Sequence, residues 1–144
     1  MLQEVLDESP MTIPATGTVL LECGFDRSTL AAMRSALGRC GADSGLTDVD
    51  LAHFVLAVNE IATNAVRYGG GQGRLSLSRH RGRLWCLITD RGPGIPRRHL
   101  EPATRRGPDQ IGGQGIWLAR RICETVDIET ARASGTRVML RFST

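Results

Sequence analysis

Hydrophobic and polar residues along the chain recur with two different periods, and these periods predict its elements. Five stretches have strand character, because they are short apolar runs or because polar and apolar residues alternate: 19–25, 74–80, 83–90, 125–131 and 136–142. Three stretches repeat apolar residues every three or four positions, as an amphipathic helix does: 28–39, 48–68 and 116–123. Arg81-Gly82 and Ala133-Ser134-Gly135 fall between neighbouring strands and predict the turns of two hairpins.

The order of the elements is strand, two helices, two strands, helix and two strands. This order predicts a single α/β domain over 18–144, a two-layer sandwich with a mixed sheet and helices on one face. Residues 1–17 contain two prolines and a glycine without a regular period, which predicts a flexible N-terminal tail. Residues 97–112 are polar and rich in Arg, Gly and Pro, which predicts a mobile loop.

The composition is that of an ordinary globular domain, with 41% hydrophobic and 23% charged residues in a chain of 144. No run of eighteen apolar residues occurs, so neither a membrane-spanning helix nor a membrane partner is predicted. The first residues are acidic and lack the basic-then-apolar order of a secretion signal, so we expect the protein in the cytoplasm.

The charged residues narrow the chemistry, because all eighteen basic residues are Arg and none is Lys. This excludes a P-loop, which needs a lysine at the phosphates, and Schiff-base chemistry, which needs an amine. Fifteen of the arginines follow residue 50, a bias that suits nucleic acid or a polyphosphate ligand. Aromatic residues are only 4%, which leaves few platforms for stacking, and a solvated Arg-rich surface explains the bias equally well. We therefore predict no direct contact with nucleic acid.

Three polar or glycine-rich stretches need an explanation beyond packing. Glu60 and Asn64 lie one helical turn apart on the predicted helix 48–68, among apolar residues. D-R-G-P-G at 90–94 follows a predicted strand, and G-G-Q-G at 112–115 precedes a predicted helix. Taken singly, each has an ordinary reading: polar helix residues are often at the surface, and glycine-rich stretches are usually turns or loops.

Taken together, the three stretches indicate a nucleotide site. Glycines before a helix let backbone N–H groups approach phosphates at the positive end of that helix. Asn64 can offer a neutral oxygen to Mg²⁺, whose other ligands would be phosphate oxygens and waters. Asp90 at a strand end can accept a hydrogen bond from an adenine amino group, and Gly92 and Gly94 leave room for the base. Glu60 is placed to take a proton from an attacking hydroxyl or water.

Four ordered motifs resemble those of the Bergerat-fold ATPases, the superfamily of gyrase, sensor histidine kinases and heat-shock chaperones. N-E-I-A-T-N-A-V-R-Y-G at 59–69 resembles the N-box, and D-R-G-P-G-I-P at 90–96 resembles the first glycine box. G-G-Q-G-I-W-L-A-R-R-I at 112–122 resembles the second glycine box, and S-G-T-R-V-M-L-R-F at 134–142 the final strand. The resemblance spans about 18–142. It is closest to the small bacterial anti-sigma factor serine kinases, through the compact layout, the E-x-x-x-N-A spacing and the single short lid.

This resemblance implies a kinase that uses ATP and Mg²⁺ to phosphorylate a serine of an anti-anti-sigma partner. A sigma factor is implied as the other partner, and a homodimer is compatible with the family. The implied roles are Glu60 as the base, Asn64 as the magnesium ligand and Asp90 as the adenine reader. Contacts to adenine or phosphate are implied at five further positions: Gly92, Gly94, Gly113, Gly115 and Thr136. One departure is Ile116-Trp117 after the second box, where the family commonly has G-x-G-L, and we interpret Trp117 as a core residue.

Two other functions stay open at this point. One is a nucleotide-dependent regulatory binding module without phosphotransfer, and the other is the detached catalytic domain of a sensor histidine kinase. The second lacks a phospho-accepting histidine on a suitable preceding helix. Glu60 favours the kinase over the binding module, because a carboxylate facing a triphosphate opposes binding and serves no purpose without catalysis.

Overall fold

The computed structural model describes residues 11–95, 114–131 and 133–144. Five strands form the sheet: Thr18–Asp26 (β1), Gln72–His80 (β2), Arg83–Asp90 (β3), Thr125–Ala131 (β4) and Gly135–Ser143 (β5). Three helices accompany it: Leu30–Asp43 (α1), Asp48–Tyr68 (α2) and Gln114–Ile122 (α3). None of these three described helices is long and apolar enough to cross a membrane. Each element predicted from the hydrophobic pattern is confirmed, whereas the predicted mobile loop 97–112 lies outside the described residues.

The strands follow the order β1-β2-β3-β5-β4, and each pairing between neighbours is antiparallel. The two-layer α/β class is confirmed, but the sheet is not the mixed sheet that we expected. Two successive helices separate β1 from β2, so the chain re-enters the sheet beside β1 in the opposite direction. β4 does run parallel to β3, but β5 lies between them, so these two strands are not neighbours.

One face of the sheet packs against α2, whose buried residues recur at helical spacing: Phe54, Ala57, Val58, Ile61, Ala62 and Ala65. Side chains from the strands meet this stripe, as in the edge-to-face contact of Phe54 with Phe142, whose ring centroids lie 5.7 Å apart. The buried stripe fixes the rotation of α2 about its own axis. Polar residues that flank the stripe therefore emerge at defined positions.

The opposite face of the sheet carries the segment that precedes β1. Met11 is buried, and its carbonyl oxygen accepts a hydrogen bond from Arg137 Nη2 on β5, at 3.2 Å. Thr16 Oγ1 lies 3.4 Å from His80 Nδ1 at the end of β2. Residues 11–17 thus contact the sheet. The flexibility expected for residues 1–17 stays a prediction, and residues 1–10 lie outside the described part of the chain.

Helix α3 adds its own apolar side to the core, where Ile116 and Ala119 are buried. Trp117 is only half-buried, and the guanidinium of Arg121 lies over its ring, with Cζ 5.4 Å from the ring centroid. The interpretation of Trp117 as a core residue is therefore wrong. Ile116 occupies the inward position instead, because neighbouring residues of a helix point in directions about 100° apart.

Candidate nucleotide-binding site

Glu60 and Asn64 lie at the border of the buried stripe of α2. Both are half-buried, next to the fully buried Ile61 and Ala65. Within the described ranges, neither side chain has a hydrogen bond or an ion pair. The third polar residue of the motif, Asn59, behaves differently, because its Oδ1 accepts a hydrogen bond from Arg34 Nη1 at 3.1 Å. The helix therefore presents one unused carboxylate and one unused carboxamide, a turn apart.

The start of α3 packs directly against this pair. Gly115 is buried, and a Cβ atom at this position would lie 3.2 Å from Glu60 Oε2 and 3.4 Å from Asn64 Nδ2. The first N–H groups of a helix have no partner within the helix, and the N-terminal end carries partial positive charge. The glycine keeps the beginning of α3 close to both polar side chains. Gly113 lies outside the described residues, so the contact implied for it stays a prediction.

Asp90, the last residue of β3, lies at the C-terminal end of α2, beside Gly69. Its Oδ1 accepts a hydrogen bond from the backbone N–H of Gly92 at 2.9 Å, and the backbone N–H of Thr136 donates to the same carboxylate. Burial raises the pKa of the Asp90 carboxyl above its ordinary value, and these two hydrogen bonds offset only part of the rise. The site thus holds a partly desolvated acceptor with a fixed orientation.

Gly69, the first residue after α2, makes this arrangement possible. A Cβ atom on Gly69 would collide with the carboxylate of Asp90, and one on Gly92 would collide with the backbone of Gly69. The end of α2 and the turn after β3 therefore approach each other backbone to backbone. From the sequence, the glycine run at 69–73 indicated only the end of a helix.

A pair of threonine hydroxyls completes this end of the sheet. Thr136 is 3% exposed, and its Oγ1 lies 2.9 Å from Oγ1 of Thr130 on the neighbouring strand β4. Thr130 Oγ1 also accepts the backbone N–H of Ile95 at 2.9 Å. Gly94 has φ = +89° and passes so close that a Cβ atom there would lie 2.9 Å from the same oxygen. Sequence reasoning missed Thr130, because it belongs to none of the motifs.

The predicted site residues therefore form two groups joined by α2. Asp90, Gly92, Gly94 and Thr136 lie at the C-terminal end of α2. Asn64 and Glu60 lie about one and two turns before that end, with Gly115 against them. Gly69 follows Asn64 by five residues, and the helical rise of about 1.5 Å per residue separates them by about 7.5 Å. The first group has an acceptor and hydroxyls that suit the edge of a base, and the second has an amide oxygen and helix N–H groups that suit phosphates.

The side chains of this candidate site also indicate how it could bind a metal ion. The described residues contain no group of three or more His, Cys, Asp or Glu side chains that could hold a metal ion by themselves. Mg²⁺ keeps most of its waters and commonly binds through one or two protein ligands together with substrate phosphates. Asn64, with no partner among the described residues, fits that mode as a single neutral ligand.

Comparisons with known proteins bear on the family and the fold of this chain. The model of the family described as histidine kinase-like ATPase domain matches residues 25–142. The catalytic domain of histidine kinase ThkA is similar in structure, with a TM-score of 0.50 and 15% identity over 85% of this chain and 95% of that one. The histidine kinase domain of the E. coli osmosensor EnvZ has a TM-score of 0.48 and 19% identity, over 90% and 92% of the two chains.

At 15% identity, the likeness to the ThkA domain shows the fold alone. No curated protein sequence matches the chain. The family match, in contrast, covers every element from α1 to β4 in full, nearly all of β5 and only the last two residues of β1. The chain therefore belongs to the family of histidine kinase-like ATPase domains.

Proposed function

We propose that the protein is an ATP-dependent serine kinase of the anti-sigma factor type, which phosphorylates an anti-anti-sigma partner. Phosphorylation then decides whether the protein holds that partner or a sigma factor, and so regulates transcription in the cytoplasm. Membership of the histidine kinase-like ATPase family supports the binding of ATP. The observation that carries the kinase activity is Glu60, a half-buried carboxylate without a described partner, one turn before Asn64 and beside the start of α3.

In this proposal ATP lies along α2. The adenine amino group donates to Asp90, and the base packs against the backbone of Gly92 and Gly94, where side chains are absent. The phosphates lie at the start of α3, where unpaired N–H groups and the positive helix end favour anions. Mg²⁺, held by Asn64 and phosphate oxygens, would neutralise charge on the triphosphate.

Glu60 then acts as the general base. Its carboxylate takes the proton of the partner serine hydroxyl, and the serine oxygen forms a bond to the γ-phosphorus. The bond between that phosphorus and the bridging oxygen of ADP breaks, and ADP leaves with the electron pair. Positioned proton transfer of this kind typically contributes about 10²–10⁴-fold in rate. The Glu60 carboxylate lies against Gly115 at the start of α3, where this proposal puts the phosphates.

A nucleotide-dependent binding module without phosphotransfer is the second candidate. It is favoured by one observation, namely that no described residue hydrogen-bonds Glu60, so none orients it as an activated base is commonly oriented. The charge of Glu60 argues the other way, because a carboxylate close to the triphosphate weakens binding unless it takes part in a reaction.

The experiment that separates the two candidates is transfer of phosphate from labelled ATP to serine-bearing partner proteins. Native protein should label a serine of an anti-anti-sigma partner, and Glu60→Gln should bind ATP but transfer about 10²–10⁴-fold more slowly. Glu22→Gln is a matched control, because Glu22 is an exposed glutamate on β1, away from both groups of site residues. ATP binding by the native protein without transfer to any serine-bearing partner would leave the binding module as the function.

A further inference from the structure

Thr130 occupies a row of three polar residues that crosses the sheet. Asp90 on β3 is directly opposite Thr136 on β5, and Thr136 is directly opposite Thr130 on β4. Ile88, Val138 and Ile128, two residues away on each strand, belong to the core beneath the helices. Because side chains alternate along a strand, all three polar residues point to the face that carries α2 and α3. Thr130 is therefore part of the nucleotide end of the site, although no motif contains it.

Thr130 Oγ1 takes part in two hydrogen bonds, one with the backbone of Ile95 and one with the Thr136 hydroxyl. A hydroxyl donates one hydrogen bond and accepts up to two. The N–H of Ile95 can only donate, so Thr130 Oγ1 accepts from it. The proton of Thr130 then needs an acceptor, and the one that the described residues offer is Thr136 Oγ1, at 2.9 Å. Either hydroxyl can donate the hydrogen bond between Thr130 and Thr136. When Thr130 donates it, the proton of Thr136 is left to donate to a third group.

We propose that Thr130 is a specificity-determining positioning residue, which turns the Thr136 hydroxyl into a hydrogen-bond donor beside the Asp90 acceptor. This inference rests on the proposed binding of ATP. An acceptor beside a donor matches the edge of adenine that carries an amino group next to an unprotonated ring nitrogen. It mismatches guanine, which presents a carbonyl next to a ring N–H at the same edge. Thr130 thus selects the base without touching it.

The test compares ATP with 1-deaza-ATP, which lacks the ring nitrogen next to the amino-bearing carbon. Binding in the presence of Mg²⁺ is measured by calorimetry for the native protein, Thr130→Val and Thr130→Ser. Native protein should bind ATP about 3- to 10-fold more tightly than 1-deaza-ATP, as expected for one neutral hydrogen bond. Thr130→Val removes the hydrogen bond that orients the Thr136 hydroxyl, so that ratio should fall, and Thr130→Ser, which keeps the hydroxyl, should restore it.

A purely structural role of Thr130 has a different outcome. If the residue only held the turn at Ile95, Thr130→Val would weaken both nucleotides by the same factor and leave their ratio unchanged, which would overturn the proposal. Thr125→Val is a matched control, because Thr125 is a half-buried threonine on the same strand, opposite Arg141 rather than Thr136. The ratio of the affinities for ATP and 1-deaza-ATP in Thr125→Val should equal that of the native protein.

Two further measurements keep the outcome decisive. Should Thr130→Val fail to fold, as judged by circular dichroism, Thr136→Val removes the proposed donor itself and should bring the ratio close to one. Equal affinity of the native protein for ATP and 1-deaza-ATP would refute the role of Thr130 while leaving ATP binding intact. Failure of the native protein to bind either nucleotide would instead refute the proposed function.

Discussion

Replacing Asp90 by Asn tests the base-binding end of the site with a change of one atom. The native carboxylate accepts the backbone N–H groups of Gly92 and Thr136, and its remaining lone pairs face the proposed adenine amino group. Asparagine keeps one oxygen, but its NH₂ group replaces the other. In Asp90→Asn, one of the two backbone N–H groups that donate to the native carboxylate therefore loses its acceptor or faces the NH₂ group instead.

Two opposing effects act on the stability of Asp90→Asn. Loss of one hydrogen bond to a half-buried N–H group destabilises the fold by about 1–3 kcal/mol. Removal of a carboxylate whose pKa is raised by burial relieves a desolvation cost above that pKa. Since the two effects oppose each other, we expect the free energy of unfolding at neutral pH to change by less than about 2 kcal/mol.

Nucleotide affinity should change far more. A hydrogen bond to a charged acceptor is worth about 1.5–3 kcal/mol, so ATP affinity should fall by about 10- to 150-fold. GTP affinity should stay constant or rise, because an asparagine NH₂ can donate to the guanine carbonyl. The ratio of ATP affinity to GTP affinity should therefore fall, because the first affinity decreases and the second does not.

Calorimetry with Mg–ATP and Mg–GTP measures both affinities, and urea denaturation of the same samples measures stability. Glu129→Gln is the control, because Glu129 is an exposed carboxylate on β4 whose side chain is paired with Arg137 rather than directed into the site. Equal affinity of the native protein for ATP and GTP would refute the assignment of Asp90 as the adenine reader. A variant that loses ATP binding only in proportion to its loss of folded protein would do so as well.

Three further predictions concern the other site residues and the effect of pH. Glu60→Gln should keep or increase ATP affinity, because a negative charge near the triphosphate is removed. The rate of serine phosphorylation should fall by about 10²–10⁴-fold. Phosphorylation by Glu60→Gln at the native rate would show that Glu60 has a structural role only. Asn64→Ala should fold and lose Mg-dependent ATP affinity. Unchanged Mg–ATP affinity of this variant by calorimetry would refute the role of Asn64 as metal ligand. ATP affinity of the native protein should decline as the pH falls through the raised pKa of the Asp90 carboxyl, because protonated Asp90 loses acceptor capacity. The free energy of unfolding depends on pH in the opposite direction. Because the pKa of Asp90 is raised in the folded protein, its contribution to stability is fully present below the unfolded pKa of 3.8 and is lost as the pH rises through the folded pKa. Asp90→Asn should show neither of these two pH dependences.

Features set by local sequence were predictable. The helix expected over 48–68 coincides with α2, because a broad apolar stripe defines its length and a run of glycines ends it. The turn at Arg81-Gly82 is also as predicted. Both residues have positive φ, 50° and 73°, which is the geometry of a tight hairpin turn between antiparallel strands.

Features that depend on strand order were not predictable in the same way. The sheet is antiparallel throughout because β5 lies between β3 and β4, and no local pattern encodes that position. The contact of Gly69 with Gly92 and the position of Thr130 opposite Thr136 follow from that order and from the register of the strands. The glycine boxes are sequence motifs and so pointed to the candidate site, whereas Thr130, proposed to act only through another side chain, belongs to no motif.

The placement of Glu60 and Asn64 explains why an apolar helix carries them. Packing of Ile61, Ala62 and Ala65 against the core fixes how α2 is turned, so the two polar residues emerge at the edge of the buried stripe, next to Gly115. Packing of the described residues does not use either polar side chain, so folding alone gives no reason to keep them. A ligand that supplies phosphate oxygens and a metal ion gives that reason, because it satisfies the carboxamide and brings a reacting hydroxyl to the carboxylate. The same rigid stripe that holds α2 in the core thus sets the distance between base and phosphates, and this makes α2 the element on which the proposed reaction depends most.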